Sequence, residues 1–161
     1  MSRATAARSA RRAWARAMLV LTAVLAADQA VKALVVASLE RGEQRDLVAG
    51  VKLVNTRNTG VAFGQLQDGG ALVAVVIAIA IAALLAYFAR HAGEPLMWLP
   101  TGMLLGGALG NVADRIREGA VVDFLKLPYW PAFNVADASI TIGVVILLVV
   151  MERGARARAS A

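Results

Sequence analysis

Four long apolar segments dominate the sequence and constrain its fold more than any other feature. They cover residues 14–39, 70–89, 96–113 and 136–152. A helix of roughly 17–25 apolar residues is long enough to cross the hydrocarbon core of a bilayer. The chain has 161 residues and is 59% hydrophobic, which is well above the apolar content of an ordinary globular domain. We therefore predict an all-α membrane protein, a single domain with four transmembrane helices.

The basic residues lie mainly at the two ends of the chain. The net charge is +6, and the arginines concentrate at residues 3–16 and 153–158. Cytoplasmic flanks of membrane spans carry such an excess of Lys and Arg, whereas a nucleic-acid-binding domain places it on one folded face. We predict that both termini are cytoplasmic, that the tails 1–13 and 153–161 are disordered, and that the protein has no nucleic-acid partner.

The first apolar segment allows a second interpretation. Its basic start, apolar core and small residues near Ala26 and Ala27 are typical of a cleavable signal peptide. Three further spans favour an uncleaved first span instead. The longer connections 38–69 and 114–135 then lie outside the cell. Residues 47–54 are predicted to be β-structured because short apolar pairs flank a glycine.

Polar residues of three predicted helices are expected at one depth. With a helix rise of about 1.5 Å per residue, Asp28, Asn111 and Asp137 each lie roughly 21–22 Å from the cytoplasmic end of their segment. Asp28 and Lys32 are four residues apart and can form an ion pair on one helix face. A structural role of that pair is favoured over a chemical one.

Several kinds of catalysis are excluded by residue content. The chain has no Cys and one His, which excludes thiolate chemistry and metal sites built from Cys or several His. No cofactor or metal is predicted. A Ser–Lys pair based on Ser139 and either Lys32 or Lys126 is disfavoured, because Ser139 lies about 200° around the helix from Asp137.

Carboxylates are the remaining candidates. Asp123 lies in the apolar stretch AVVDFL, and Asp137 lies at a helix start, where it could simply be an N-cap. Asp114 adjoins Arg115, which can pair with it, and this suggests a structural role for Asp114. Two carboxylates brought together share one proton, so that one can act as a base toward water and the other as an acid. This is aspartyl peptidase chemistry.

An ion-coupled transporter is the alternative function. Asp28, Lys32 and Asp137 would then form a proton or ion path through the membrane. Such a path requires polar residues spread over the depth of the helices. The predicted polar residues cluster in one layer instead, which favours the peptidase.

Five short motifs resemble those of bacterial lipoprotein signal peptidases, the signal peptidase II family. They are DQAVK (28–32), NTGVAF (58–63), GGALGNVADR (106–115), VVDF (121–124) and FNVAD (133–137). The resemblance implies a four-helix aspartyl peptidase of the bacterial inner membrane with a small extracytoplasmic β-structured cradle. Such enzymes remove the signal peptide from diacylglyceryl-modified prolipoproteins by cutting immediately before the lipidated Cys.

The resemblance also implies roles for individual residues. Asp123 and Asp137 match the catalytic pair. The positions that match site-lining or supporting residues are Asn58, Gly60, Asn111, Asp114, Arg115, Asn134 and Ala136, together with Asp28 and Lys32 of the first helix. The expected partners are lipid-modified prolipoproteins and membrane lipid, and the protein is expected to be a monomer. For Gly106, Gly107 and Gly110, close helix packing is the favoured interpretation.

Overall fold

The computed structural model describes residues 3–59 and 69–160. Within these ranges four helices and a three-stranded sheet follow one another along the chain. They are α1 (Arg3–Ser38), β1 (Gln44–Val48), β2 (Val51–Asn58), α2 (Gly69–His91), α3 (Trp98–Glu118), β3 (Val121–Lys126) and α4 (Val135–Ala159).

Helix α3 packs against both α1 and α4, and its glycines allow close approach. A Cβ atom on Gly106 would lie 2.8 Å from the carbonyl oxygen of Leu21 in α1. A Cβ atom on Gly107 would lie 2.6 Å from the carbonyl oxygen of Ala136 in α4. Any side chain here would push the helices apart, which confirms the packing role predicted for these glycines.

Three helices contain segments that are long and apolar enough to cross a membrane: Ala7–Ser38, Ala74–His91 and Val135–Ala159. By length and composition, the described residues thus provide three candidate spans where the sequence predicted four. Helix α3 is the exception because glycines and the polar residues Asn111 and Asp114 lower its hydropathy.

The outward faces of these helices are apolar. Leu19 of α1 is 71% exposed, Ile79 of α2 63% and Leu148 of α4 60%. Exposed apolar surface on this scale marks a surface that contacts another apolar phase. Apolar outward faces of this kind are typical of a multi-pass membrane protein.

The sheet has the strand order β1-β2-β3, and both pairings are antiparallel. The turn between β1 and β2 consists of Ala49 and Gly50, which have positive φ values of 45° and 82°. Two positive φ values are typical of the type I′ turn of a two-residue hairpin. The hairpin confirms the β structure predicted for residues 47–54. In the second pairing, Thr56 of β2 lies opposite Asp123 of β3.

Both basic tails differ from the prediction of disorder. Helix α1 begins at Arg3, and α4 continues to Ala159. Ala and Arg have high helix propensities, and extending an existing helix requires no new nucleation. The tails therefore continue the membrane helices instead of fraying at residues 13 and 153.

Two buried apolar clusters lie at opposite ends of the bundle. Phe88 and Met97, both fully buried, anchor one of them near the connection between α2 and α3. Val35, Leu39 and Phe124 form the other, which joins the end of α1 to β3. The second cluster fixes the sheet on the helices and so positions Asp123.

Candidate active site

The predicted polar residues meet where β3 contacts the ends of α1, α3 and α4. Most of them are buried. The side chains of Asp28, Lys32, Asn111, Asp114, Asp123 and Asn134 are each at most 8% exposed. Buried polar groups are costly unless hydrogen bonds satisfy them, so the partners of each group define the site.

Asp123 lies on β3 and is 2% exposed. Its two carboxylate oxygens accept hydrogen bonds from different amides. Asn58 Nδ2 donates to Oδ2 at 3.0 Å, and Asn134 Nδ2 donates to Oδ1 at 2.8 Å. Burial raises the pKa of Asp123, and the negative charge of Asp137 raises it further, while the two amide hydrogen bonds oppose the shift.

Asp137 is the third residue of α4 and belongs to a capping box. The N-cap is Asn134, whose Oδ1 accepts a hydrogen bond from the backbone N–H of Asp137 at 2.8 Å. In return, Asp137 Oδ2 accepts from the backbone N–H of Asn134 at 3.3 Å. Asp137 is therefore not the N-cap that the sequence allowed. Its other oxygen, Oδ1, accepts from Asn111 Nδ2 at 2.8 Å.

Asn134 brings the two carboxylates of the predicted pair together. Its side chain contacts Asp123 and its backbone contacts Asp137. The same side-chain amide also lies 3.2 Å from Asn111 Oδ1. Asp123 and Asp137 thus share Asn134 as a buried neighbour, and Asn134 in turn contacts the amide side chain of Asn111.

Charged residues behind Asp123, Asp137 and Asn134 form a second set of contacts that supports them. Lys32 Nζ lies 2.8 Å from Asp28 Oδ2 and 2.7 Å from Asp114 Oδ2. The predicted pair of Asp28 and Lys32 is confirmed, with Asp114 as an additional member. Lys32 also donates to Asn111 Oδ1 at 3.1 Å. Because this bond occupies the amide oxygen, the amide nitrogen of Asn111 points toward Asp137.

The predicted pairing of Asp114 with Arg115 is wrong. Besides Lys32, Asp114 accepts a hydrogen bond from the backbone N–H of Val122 at 3.1 Å. Arg115 donates instead to the backbone carbonyl of Asn111 at 3.2 Å. Consecutive side chains of a helix point about 100° apart, which directs Asp114 toward α1 and β3 and turns Arg115 away from it.

Ala136 contributes its backbone to the same network. Its N–H donates to Asp28 Oδ1 at 2.9 Å, and its side chain is fully buried. A Cβ atom on Gly110 would lie 2.7 Å from Asp28 Oδ2, so only glycine leaves room for this carboxylate. The predicted site residue Gly60 lies outside the described residues.

Two supporting residues were not predicted from the sequence. Gln29 Nε2 donates to Asp114 Oδ1 at 3.0 Å, and its place inside the motif DQAVK was the available signal. Arg57 donates to Asn55 Oδ1 at 2.6 Å and pairs with Glu118 at 2.7 Å. No local sequence pattern predicts the contact between Arg57 and Glu118.

The chemistry available to the site is that of carboxylates and amides. Lys32 balances charge on Asp28 and Asp114, whereas Asp123 and Asp137 have amide donors around them. Among residues 3–59 and 69–160, no group of three or more His, Cys, Asp or Glu is arranged to hold a metal ion. The arrangement suits proton transfer between two unequal carboxyl groups.

Fold and site together define a multi-pass membrane protein with a buried polar site at one end of its helix bundle. Comparison with known families identifies it further. Residues 20–153 match the family described as Signal peptidase (SPase) II. The match covers most of the chain, and the protein belongs to this family.

Curated relatives agree with this assignment. The chain is 40% identical over 131 residues to the lipoprotein signal peptidase of Halothermothrix orenii, which covers 81% of this chain and 90% of the relative. It is 41% identical over 140 residues to the lipoprotein signal peptidase of Nitratidesulfovibrio vulgaris, covering 81% of this chain and 85% of the relative.

Two solved structures described as bacterial membrane enzymes have a similar fold. One superimposes with a TM-score of 0.76 at 29% identity and covers 85% of this chain and 87% of its own. The other has a TM-score of 0.74 at 28% identity, with coverage of 84% and 91%. The similarity in fold therefore extends over most of both chains.

Proposed function

We propose that Asp123 and Asp137 are the catalytic pair of an aspartyl peptidase. Membership of the signal peptidase II family assigns the protein to peptidases. The observation that carries the catalytic assignment is the contact of Asn134 with both carboxylates, at 2.8 Å to Asp123 and 3.3 Å to Asp137. The negative charge of Asp137 also raises the pKa of Asp123, and such mutual repulsion favours a state in which the two carboxyl groups hold one proton between them.

The two carboxyl groups are expected to take different roles. Each of the two carboxylates accepts a hydrogen bond at both of its oxygens, so the pKa of Asp123 is the property that we use to distinguish them. Burial raises the pKa of Asp123. We assign the base that removes a proton from water to Asp137, and the acid that protonates the carbonyl oxygen of the scissile bond to Asp123.

The substrate follows from the family. Its curated members are named lipoprotein signal peptidases, and the chain is expected to remove signal peptides from prolipoproteins. We propose that the substrate carries diacylglycerol on its Cys and that the cut falls immediately before that residue. A site at the end of the helix bundle suits such a substrate, because the signal peptide can lie in the bilayer while water reaches the scissile bond.

The same proposal includes the membrane topology. Helix α3 is taken as the fourth span, since it packs between two helices that qualify as spans. The two basic tails lie at one end of the bundle, where Arg158 of α4 pairs with Glu94 of the α2–α3 loop. The excess of basic residues supports a cytoplasmic location of this end. The site then lies near the outer face of a bacterial inner membrane.

The remaining site residues have proposed roles in binding and support. Asn58 and Asn111 orient the catalytic carboxylates, and Arg115 lies beside Asn111 with its Nε atom buried and without a partner in the described part of the chain. Arg115 is therefore placed to bind a substrate carbonyl. One chain supplies all of these residues, so we expect a monomer to be sufficient for activity.

Cleavage of a diacylglyceryl-modified prolipoprotein by the purified protein in detergent tests the proposal. Asp123→Asn and Asp137→Asn are each expected to lower the cleavage rate by roughly 100- to 10,000-fold, the usual contribution of a general acid or base. The product's mass and its new N-terminal residue would establish the position of the cut.

Asp46→Asn is the matched control, because this residue lies on β1 of the same sheet with its side chain 83% exposed. It should leave the rate unchanged. Cleavage at the wild-type rate by either catalytic variant would overturn the catalytic assignment. Cleavage of a prolipoprotein without diacylglycerol at the same rate would overturn the proposed substrate class.

A further inference from the structure

A second polar cavity lies at the end of the bundle opposite to Asp123 and Asp137. It has a volume of about 470 Å³ and opens between the start of α1 and the loop that connects α2 to α3. Its lining includes Arg8, Arg12, Arg16 and Trp98. None of these residues contacts the candidate active site.

The three arginines form a row along one side of α1. Their spacing of four residues places successive side chains about 5–6 Å apart at Cβ. In the ranges 3–59 and 69–160, neither Arg8 nor Arg12 makes an ion pair or hydrogen bond, although other arginines near this end do. Arg16 is held over the ring of Trp98, with its guanidinium carbon 5.7 Å from the ring centroid. Three neighbouring cations without a counterion favour an anionic ligand.

The acidic residue of the cavity does not oppose such a ligand. Glu94 lines the cavity, but its Oε1 atom accepts a hydrogen bond from Arg158 Nη1 at 2.6 Å. The charge of Glu94 is thereby balanced from the other side of the loop. The net charge that faces the cavity is positive.

The position of the cavity along the bundle favours a lipid as the ligand over a small anion. Arg12 lies 16 residues before Asp28 on the same helix, which corresponds to roughly 24 Å, and the hydrocarbon core of a bilayer is about 30 Å thick. The arginines therefore lie at the headgroup layer of the leaflet opposite to the active site. Leu96 at the cavity and Leu19 one turn further along α1 expose apolar surface for acyl chains.

We propose that this cavity binds the phosphodiester headgroup of an anionic glycerophospholipid. Arg8, Arg12 and Arg16 contact the phosphate, because the planar guanidinium group donates paired hydrogen bonds to phosphate oxygens. Basic pockets between membrane helices bind anionic headgroups by the same chemistry. The proposal depends on the membrane placement of the helices and is independent of the peptidase mechanism.

Native mass spectrometry of the full chain in dodecyl maltoside tests this site. The probes are dioleoylphosphatidylglycerol and dioleoylphosphatidylcholine, which share acyl chains and differ in net charge. We expect the wild type to prefer phosphatidylglycerol by at least about 10-fold. Each arginine contributes roughly five-fold to binding an anionic lipid, so the triple variant R8Q/R12Q/R16Q should bind phosphatidylglycerol on the order of 100-fold more weakly.

The matched control is R90Q/R153Q/R156Q, which removes the same charge near the same end of the bundle but outside the cavity. It should retain the wild-type affinity. Equal losses in both triple variants, or equal binding of both lipids by the wild type, would overturn the proposal. Displacement of phosphatidylglycerol by an equal concentration of inorganic phosphate would also overturn it, since the ligand would then be the free anion.

A single substitution tests the same site if the triple variant does not fold. R12Q should weaken binding of phosphatidylglycerol about five-fold while the melting temperature in lipid-free detergent stays at the wild-type value. Wild-type affinity of folded R12Q would contradict the assignment of Arg12 to the phosphate.

Discussion

The side-chain amide of Asn134 donates to Asp123 at 2.8 Å, and this hydrogen bond ties the start of α4 to strand β3. Asn134 is at the same time the N-cap of α4. Asn134 therefore contacts Asp123 on the sheet and also caps α4, the helix that carries Asp137. Capping and positioning are separable functions, because different atoms of Asn134 perform them.

Asn134→Ala and Asn134→Ser should separate the two functions. Alanine removes the cap and is expected to lower the free energy of unfolding by about 1 kcal/mol, which serine should restore because its hydroxyl can cap a helix. Neither side chain reaches Asp123, so both variants should cleave the prolipoprotein equally slowly. Cleavage rates and unfolding free energies in detergent would be measured side by side. Recovery of the rate in Asn134→Ser would show that the cap alone matters.

The pKa of Asp123 predicts how stability depends on pH. Burial raises this pKa above its ordinary value of 3.8. The folded protein therefore retains a proton that the unfolded chain releases, and the stability contributed by this carboxyl group is complete below pH 3.8 and is lost as the pH rises through the folded-state pKa. Asp123→Asn lacks this titrating group. Its unfolding free energy should therefore increase relative to that of the wild type as the pH rises.

Unfolding free energies measured between about pH 4 and pH 7 would check this sign. The difference between Asp123→Asn and the wild type is the relevant quantity. Asp46→Asn on the exposed strand β1 serves as the control and should show no comparable drift. The prediction would be contradicted if the wild type became more stable relative to Asp123→Asn with rising pH.

Lys32 should be essential for stability because it is the cation shared by Asp28 and Asp114, at 2.8 and 2.7 Å. Lys32→Met leaves two buried carboxylates without this partner, and breaking a buried ion pair on one side costs about 3–5 kcal/mol. Lys52→Met is the matched control, since Lys52 pairs with Asp46 at the surface, where such a pair contributes about 0–1 kcal/mol. Similar losses of unfolding free energy in both variants would show that the buried pair has no special role.

Much of the architecture was predictable because it rests on local patterns. Apolar length predicted segments at 14–39, 70–89 and 136–152, which overlap the candidate spans Ala7–Ser38, Ala74–His91 and Val135–Ala159. The four-residue spacing of Asp28 and Lys32 predicted their ion pair. The capping box of α4 was not predicted, because the sequence suggested Asp137 as the N-cap, whereas Asn134 is the N-cap and Asp137 is the third helical residue.

The contacts that complete the site were not predictable from local patterns. Asp114 binds Lys32 and the backbone of Val122, which come from a different helix and from a strand. Sequence adjacency suggested Arg115 as its partner instead, but neighbouring side chains of a helix diverge by about 100°. The position of β3 beside α1 and α3 determines these contacts, and that position depends on the packing of distant segments.

Gly107 should be intolerant of even the smallest side chain. A Cβ atom at this position would lie 2.6 Å from the carbonyl oxygen of Ala136 and 2.8 Å from the side chain of Ile140. Gly107→Ala must therefore separate α3 from α4, and overpacking of this kind costs about 1–3 kcal/mol. The separation also lengthens the 2.8 Å hydrogen bond from Asn111 to Asp137, so the cleavage rate should fall together with stability.

Gly93→Ala is the matched control for this substitution. A Cβ atom on Gly93 meets no other atom within 4 Å, and the residue lies in the loop between α2 and α3, far from both carboxylates. Melting temperature and cleavage rate of this variant should equal those of the wild type. If Gly107→Ala behaved in the same way, the close approach of α3 and α4 would not be required to hold Asn111 against Asp137. If Gly107→Ala lost stability but kept its rate, helix packing and positioning of Asp137 would be independent of each other.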